Sequence, residues 1–284
     1  MSSLHERLAD ARQTMVRAGI PADEAALDAE VLARHVLECD RATLLTRARD
    51  PIPSAFGRLY QTLVDRRAAR EPLAYIVGHR EFWGLEFEVT PAVLIPRPET
   101  ELIVEEALSA IPSRDAARLI VDVGTGSGCL AVALAIEFPP AALVATDASR
   151  EALEVAERNA ERHNVLGRIA FVYTDLLRAV SSGTADLIVC NPPYVPDGDA
   201  ATLQPEVGRY EPPSALYGGP DGLDVIRRVL TDARQHLAAG GWLIVEFGFG
   251  QEAGVREAAR GLGWSVERVR SDLQGIPRVA VLRR

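Results

Sequence analysis

In this 284-residue chain, the tetrad Asn191-Pro192-Pro193-Tyr194 bears most directly on chemistry. It follows an apolar run that ends at Cys190, so it leaves a strand at its carboxyl end. An amide or exocyclic amine delocalises its nitrogen lone pair and is a poor nucleophile. Two acceptors that take both of its N–H groups hold the nitrogen in line with an electrophilic carbon. They also favour the positive charge that develops as the new bond forms. The Asn191 side-chain oxygen is one such acceptor and the Pro192 carbonyl is the other. Pro192 biases Asn191 toward an extended backbone, and Pro193 does the same for Pro192. Neither proline carries an N–H to compete with the substrate's donors. Tyr194 offers a ring face for a planar group and tolerates nearby positive charge. Such catalysis is positioning plus electrostatics and needs no Ser, Cys or His nucleophile. The alternative is a proline-rich turn that only closes a strand.

A second constellation is Asp122-Val123-Gly124-Thr125-Gly126-Ser127-Gly128, which follows an apolar strand and opens a helix. It departs from the dinucleotide fingerprint Gly-x-Gly-x-x-Gly, because the third glycine comes one residue early and Cys129 takes its place. A P-loop ending is absent. Asp147 ends the next strand, where a carboxylate can accept two hydrogen bonds from a ribose diol. Gly-x-Gly-x-Gly with a strand-end acid resembles the S-adenosyl-L-methionine site of Rossmann-like methyltransferases. The resemblance implies that Gly124, Thr125, Gly126, Ser127 and Gly128 surround the methionine moiety and that Asp147 holds the ribose. Asp175 would lie near the adenine, which would also meet the backbone of Leu176. The alternative is a tight strand-to-helix turn with a helix-capping Asp.

These groups need a scaffold, and the chain changes character near residue 75. Leu4, Leu8, Ala11 and Met15 recur at helical spacing, and Gly19-Ile20-Pro21 ends the run. A second helix follows Asp23, with Leu27, Val31 and His35 or Leu32 and Val36 on its faces. Asp40 caps a short third, and Pro53 to Arg70 reads as a fourth with Phe56, Leu59, Tyr60 and Leu63 on one face. The expected domains are a helical bundle over 1–75, a β-hairpin linker over 76–97 turning at Gly84, and a catalytic domain over 98–284. In the last, strands at 119–123, 143–146, 169–173, 187–190, 242–247 and 279–282 alternate with helices at 127–138, 149–163, 221–239 and 250–262. That rhythm predicts a mainly parallel α/β sheet covered on both faces, with ligands beyond the carboxyl ends of its strands.

Composition narrows the class of partner. The formal net charge is −9, and all 31 positive side chains are arginine. Residues 1–75 carry 11 acids and 11 arginines, so the excess acid lies in the remainder. A broad basic face for duplex nucleic acid is therefore not expected. Cys39, Cys129 and Cys190 form no Cys-x-x-Cys pair, and the five histidines include no His-x-x-x-His pair, so no metal site is signalled. The first residues lack a signal-peptide core, and the apolar run Leu130–Ile136 is far short of the ~20 residues that span a bilayer. A soluble cytoplasmic protein, off the membrane and monomeric, is expected.

Further motifs extend the resemblance along essentially the whole chain. They are Ile95-Pro96-Arg97-Pro98-Glu99-Thr100-Glu101, Tyr210-Glu211-Pro212, Gly218-Gly219-Pro220-Asp221-Gly222-Leu223-Asp224 and Asp272-Leu273-Gln274-Gly275. Together with the tetrad they look like the HemK/PrmC family, the peptide chain release factor glutamine methyltransferases. The resemblance implies a Rossmann-like class I methyltransferase fold with a mostly parallel seven-stranded sheet, an N-terminal helical bundle and a hairpin linker. It also implies methyl transfer from S-adenosyl-L-methionine, yielding S-adenosyl-L-homocysteine, to the amide nitrogen of the glutamine in the Gly-Gly-Gln tip of class 1 bacterial release factors. Asn191, Pro192 and Tyr194 would then be catalytic, with Asn191 also touching cofactor, and Pro193 would help seat the substrate amide. Some members carry an aromatic residue where this chain has Leu176.

Other readings stay open at this level. Arg97 and Glu99 either shape the substrate pocket or pair with each other to lock the linker. Residues 195–220, rich in proline and glycine, form either a substrate-facing loop or a solvated insertion. The helical domain docks the protein substrate or only braces the hairpin. Rival activities are an adenine-N6 methyltransferase of nucleic acid, which would require base flipping, and a ribosomal-protein glutamine methyltransferase. A cofactor-binding scaffold without catalysis is the rival outside enzymes.

Overall fold

The computed structural model describes residues 3–46, 53 and 55–284. The chain divides into two units, one ending at Gly78 and also taking in Gln204–Tyr210, the other comprising His79–Leu203 and Glu211–Arg284. In the first unit α1 spans Leu4–Arg17, α2 Ala22–Leu37, α3 Arg41–Thr46, α4 Phe56–Ala68 and α5 Leu73–Val77. Ser3 and Glu6 start α1 with a reciprocal capping box. The Asp40 carboxylate accepts from Thr43 N at 2.7 Å to start α3. Leu4, Ala11, Met15, Leu32, Phe56, Tyr60 and Val64 close the core.

Two of the expected apolar faces are rotated. On α2 the buried stripe is Ala25, Asp28, Ala29, Leu32 and Ala33, whereas Leu27 and Leu59 are each more than half exposed. The alanines let neighbouring helices approach closely, and Asp28 sits among them because its carboxylate takes a hydrogen bond from Arg67 Nε at 2.6 Å. α5 was not foreseen; it is only five residues long, too short to show a period.

The second unit opens with the hairpin β1 (His79–Phe82) and β2 (Leu85–Glu88). Trp83 and Gly84 both have positive φ, 55° and 68°, as a two-residue hairpin turn requires. There follow α6 (Glu101–Ala110), β3 (Leu119–Val123), α7 (Cys129–Glu137), β4 (Ala142–Asp147), α8 (Arg150–Arg162), β5 (Ile169–Tyr173) and β6 (Ala185–Cys190). α9 (Pro205–Tyr210) belongs to the first unit; then come α10 (Asp224–His236), β7 (Leu237–Glu246), α11 (Glu252–Gly261), β8 (Ser265–Ser271) and β9 (Pro277–Arg283).

The seven-stranded sheet has the order β5-β4-β3-β6-β7-β9-β8. Strands β3 to β7 run parallel, and β9 is antiparallel to both of its neighbours. Apolar layers cover both faces of the sheet, one built on α6 and α7, the other on α10 and α11. Strand β7 starts at Leu237, earlier than expected, so α10 ends at His236. β8 escaped the reading because its sequence, Ser-Val-Glu-Arg-Val-Arg-Ser, is that of a charged edge strand. Buried Asn159 of α8 ties the hairpin to the glycine loop: it accepts from Glu88 N and donates to the carbonyls of Glu88 and Ser127.

Candidate active site

Strand register assembles the site. Val123 of β3 pairs with Thr146 of β4 and with Cys190 of β6, so Gly124, Asp147 and Asn191 leave the sheet side by side. Cys190 also pairs with Val245 of β7, which sets Glu246 beside Asn191. Asp147 pairs with Tyr173, and Asp175 lies just beyond it. All of these residues are at carboxyl ends of parallel strands, where β4 flanks β3 on one side and β6 on the other and a crevice opens.

A cavity of ≈ 290 Å³ occupies that crevice. Gly124, Thr125, Gly126, Ser127, Asp147, Asp175, Leu176, Asn191 and Pro193 line it, among the residues singled out from sequence. Gly128, Pro192, Tyr194, Arg97 and Glu99 do not. The loop is held from below, since Gly124 N and Thr125 N both donate to Thr146 O and Gly126 N donates to Asp147 Oδ2 at 2.9 Å. Gly126 has φ +56°, and a Cβ there would project into open space. The backbone therefore lies bare toward the cavity, as close approach of a ligand requires. Asp147 Oδ1 accepts from Ser149 N, so the acid both holds the loop and fastens the start of α8. Burial raises its pKa, and the backbone hydrogen bonds oppose that rise. Asp175 is engaged by Arg228 Nη2, 2.7 Å from each carboxylate oxygen.

The tetrad has one unsatisfied acceptor of note. Asn191 Nδ2 donates to Thr100 Oγ1 at 3.0 Å, while Asn191 Oδ1 is buried without a hydrogen-bond partner among the described residues. A buried, unpaired amide oxygen costs about 1–3 kcal/mol, so its retention calls for a reason. Among the described residues nothing donates to the Pro192 carbonyl either. Tyr194 OH donates to Glu246 Oε1 at 3.2 Å, and burial followed by the nearby Glu246 charge holds the phenol above its ordinary pKa.

Glu99 is not the partner of Arg97. Arg97 Nη2 donates instead to the buried Glu211 Oε1 at 2.6 Å, while Glu211 Oε2 accepts from Ile95 N at 3.3 Å. The pair joins the segment before α6 to the Tyr210-Glu211-Pro212 motif. The glycine-rich motif after it packs on the tetrad: an added Cβ at Gly218 would lie 2.5 Å from Pro193 O. Gln251 Nε2 donates to Tyr194 O at 2.8 Å and clamps the same backbone.

Sequence reasoning missed Glu246 and Arg228, and it named Thr100 and Glu211 only inside motifs, without a role. Glu246 had a visible signal, an acid ending the apolar run Trp242–Val245, the same signal that marked Asp147. It is 1% exposed, and burial pushes its pKa up to about 7 despite hydrogen bonds from Thr100 and Tyr194. Burial likewise pushes Asp122, beneath the loop, to about 7. Cys129 is pushed by burial to about 12, so it is a packed thiol rather than a nucleophile.

The sheet order, the loop after its first parallel strand and the acid after its second define a Rossmann-like class I methyltransferase fold. Solved structures share it: a methyltransferase from Pyrococcus furiosus (TM-score 0.51, 19% identity, 80% of this chain and 98% of that one) and the N-terminal domain of human METTL16 in complex with SAH (TM-score 0.52, 20% identity, 77% and 82%). Residues 6–78 match the PrmC N-terminal domain, and residues 100–204 the methyltransferase small domain. A release factor glutamine methyltransferase of Koribacter versatilis is 43% identical over 91% of both chains, and one of Geobacter sulfurreducens is 47% identical over 81% of this chain and 79% of its own. The chain belongs to the release factor glutamine methyltransferase family.

Proposed function

We propose that this protein transfers a methyl group from S-adenosyl-L-methionine to the side-chain amide nitrogen of the glutamine in the Gly-Gly-Gln tip of class 1 peptide chain release factors. The observation that carries the reading is the buried, unpartnered Asn191 Oδ1 in the wall of a cavity whose floor is the bare glycine loop. The residues fit the cofactor. The bare backbone over 124–127 suits the methionine moiety, Asp147 the ribose hydroxyls, and Asp175 with Leu176 the adenine. When bound, that cofactor supplies a methyl group made electrophilic by its sulfonium.

The protein's own part is to make a poor nucleophile competent. Asn191 Oδ1 and the Pro192 carbonyl accept the two amide N–H groups of the substrate glutamine and hold the nitrogen on the line of attack. Both dipoles point negative ends at a nitrogen that becomes positive, so their hydrogen bonds strengthen in the transition state. The nitrogen is cationic once it carries the methyl group, and one of the two gripped protons then passes to solvent water, leaving a neutral methylated amide. Tyr194 backs the amide, Pro193 narrows the entrance, and Arg97 and Glu99 border the approach to the pocket.

Residues 1–75 serve as the substrate-docking domain, 76–97 as the hairpin linker and 98–284 as the catalytic domain. The protein acts as a cytoplasmic monomer on a protein substrate rather than on nucleic acid. Its −9 charge supports the choice of a protein over nucleic acid. The test is mass spectrometry of release factors incubated with the cofactor. Addition of one methyl group to the Gly-Gly-Gln glutamine is expected, reduced about 10²- to 10³-fold in rate by Asn191→Ala. Methylation of nucleic acid instead would overturn the reading.

A further inference from the structure

Asn191 is useful as an acceptor only if its amide presents Oδ1, not Nδ2, to the cavity, and the two faces of an amide have nearly the same shape. Its orientation must come from its neighbours. Nδ2 meets Thr100 Oγ1 at 3.0 Å, and Thr100 Oγ1 meets Glu246 Oε2 at 2.7 Å. A threonine hydroxyl has one hydrogen. Given to the carboxylate, it leaves Oγ1 able only to accept, so the amide must turn its NH2 toward Thr100 and its oxygen away. Tyr194 OH, donating to Glu246 Oε1, occupies the carboxylate's other oxygen.

We propose that Thr100 and Glu246 are positioning residues, which fix the Asn191 side chain with its oxygen toward the substrate amide. The inference deepens the functional reading above and rests on it. Two features set the arrangement apart from ordinary packing. Thr100 closes a short helical turn over Pro98–Thr100 that runs straight into α6, so its hydroxyl serves no cap, and it is committed to Glu246 instead. Glu246 is a buried acid whose lone ordinary role, closing β7, needs no charge. The strand register Cys190 to Val245 brings it beside Asn191, so the relay is built into the sheet.

The relay has a defined failure mode. If Glu246 takes up a proton on Oε2, it donates to Thr100 Oγ1. The threonine hydrogen is then free to bond Asn191 Oδ1, and the amide turns over, presenting a donor to a substrate that needs an acceptor. The groups facing Glu246 are the Tyr194 phenol, the Glu99 carboxylate and the Arg278 guanidinium, with Cys129 and Cys190 held as neutral thiols by burial. Its ionisation near 7 places the changeover within the measurable range.

The test uses full-length protein, S-adenosyl-L-methionine and a Gly-Gly-Gln peptide. Thr100→Val keeps the shape but breaks both bonds, and is expected to lower kcat about 10- to 100-fold. Thr100→Ser keeps the hydroxyl and should return kcat to within about 3-fold of wild type. Wild-type kcat should rise with pH through about 7 to a plateau, while Thr100→Val should be flat there. A Thr100→Val enzyme as active as wild type, or a Thr100→Ser enzyme as impaired as Thr100→Val, overturns the inference. Exchange of the Asn191 side-chain NH2 with solvent, followed by NMR without substrate, should be slowed in the wild type and faster in Thr100→Val; equal rates overturn it too. A wild type that exchanges as expected yet methylates no glutamine overturns the functional reading alone.

Discussion

Arg67 and Glu206 stand 139 positions apart in the chain and meet in an ion pair of 2.7 Å. Arg67 Nε takes Asp28 at 2.6 Å and Nη2 takes Glu24 at 2.7 Å, so one buried guanidinium serves three acids. Arg70 adds a second cation on Glu206. Removing Arg67 would leave Asp28 buried without a cation and Glu206 with Arg70 alone. Arg67→Ala is therefore expected to destabilise the first unit by about 3–5 kcal/mol. Glu206→Gln leaves Arg67 two carboxylates and should cost less, about 1–2 kcal/mol, while loosening Gln204–Tyr210. Urea denaturation measures the order, and limited proteolysis around 199–210 should quicken in Glu206→Gln. Equal stability of the two variants would contradict the account.

Gly222 approaches the tetrad through backbone alone. Its φ is +74°, and an added Cβ would lie 2.2 Å from Tyr194 O. Neither the turn nor the carbonyl can yield without moving residues 193 and 194. Gly222→Ala is expected to cost about 1–3 kcal/mol in strain, yet to lower kcat about 10²-fold, since a displacement of ~1 Å at the reacting groups has that effect. Melting temperature and kcat measured on one preparation separate the two. A variant that melts lower but turns over normally would show that the contact serves stability alone.

The residues legible from sequence were those whose chemistry sits in adjacent positions. The glycine loop, Asp147 and the tetrad each carry their signal within a few residues of a strand end, and the sheet lines most of them up around one cavity. What was missed depends on register between distant strands. Thr100 has meaning only because α6 starts opposite the ends of β6 and β7, and Arg97 finds Glu211 rather than the nearer Glu99. Helix faces failed where size mattered more than apolarity, as on α2, where Ala29 is buried and Leu27 is not. Glu246 could have been read, because a carboxylate closing a buried strand is costly unless it is used.

Asp147 is tied to the loop before any cofactor enters, through Gly126 N and Ser149 N. In Asp147→Asn one carboxylate oxygen becomes an NH2 that faces a backbone donor, so either the loop or the start of α8 loses its anchor. Affinity for S-adenosyl-L-homocysteine, measured by calorimetry, is expected to fall about 10- to 100-fold, which corresponds to about 1.4–2.8 kcal/mol. Unchanged affinity would remove Asp147 from the proposed cofactor site.

Glu246 also makes stability depend on pH in a calculable direction. Its pKa rises from an ordinary 4.5 to about 7 on folding, because burial disfavours the charged form. A raised pKa means that the folded state binds the proton more tightly than the unfolded chain does. The contribution is present in full below about 4.5 and is lost as pH rises through about 7. Over that window the ionisable side chain takes up to about 3 kcal/mol from the wild type. Glu246→Gln has no such titration, so its stability relative to wild type should climb between pH 5 and pH 8 even as its activity falls. Asp122 titrates in the same range but does so in both proteins and cancels from the difference. Urea unfolding at pH 5, 6.5 and 8 gives the comparison. A difference that still climbs at pH 8 without levelling would mean that Glu246 stays neutral in the folded state throughout, and the charge-directed orientation of Asn191 would go with it, whereas parallel curves would mean that its pKa is not raised at all.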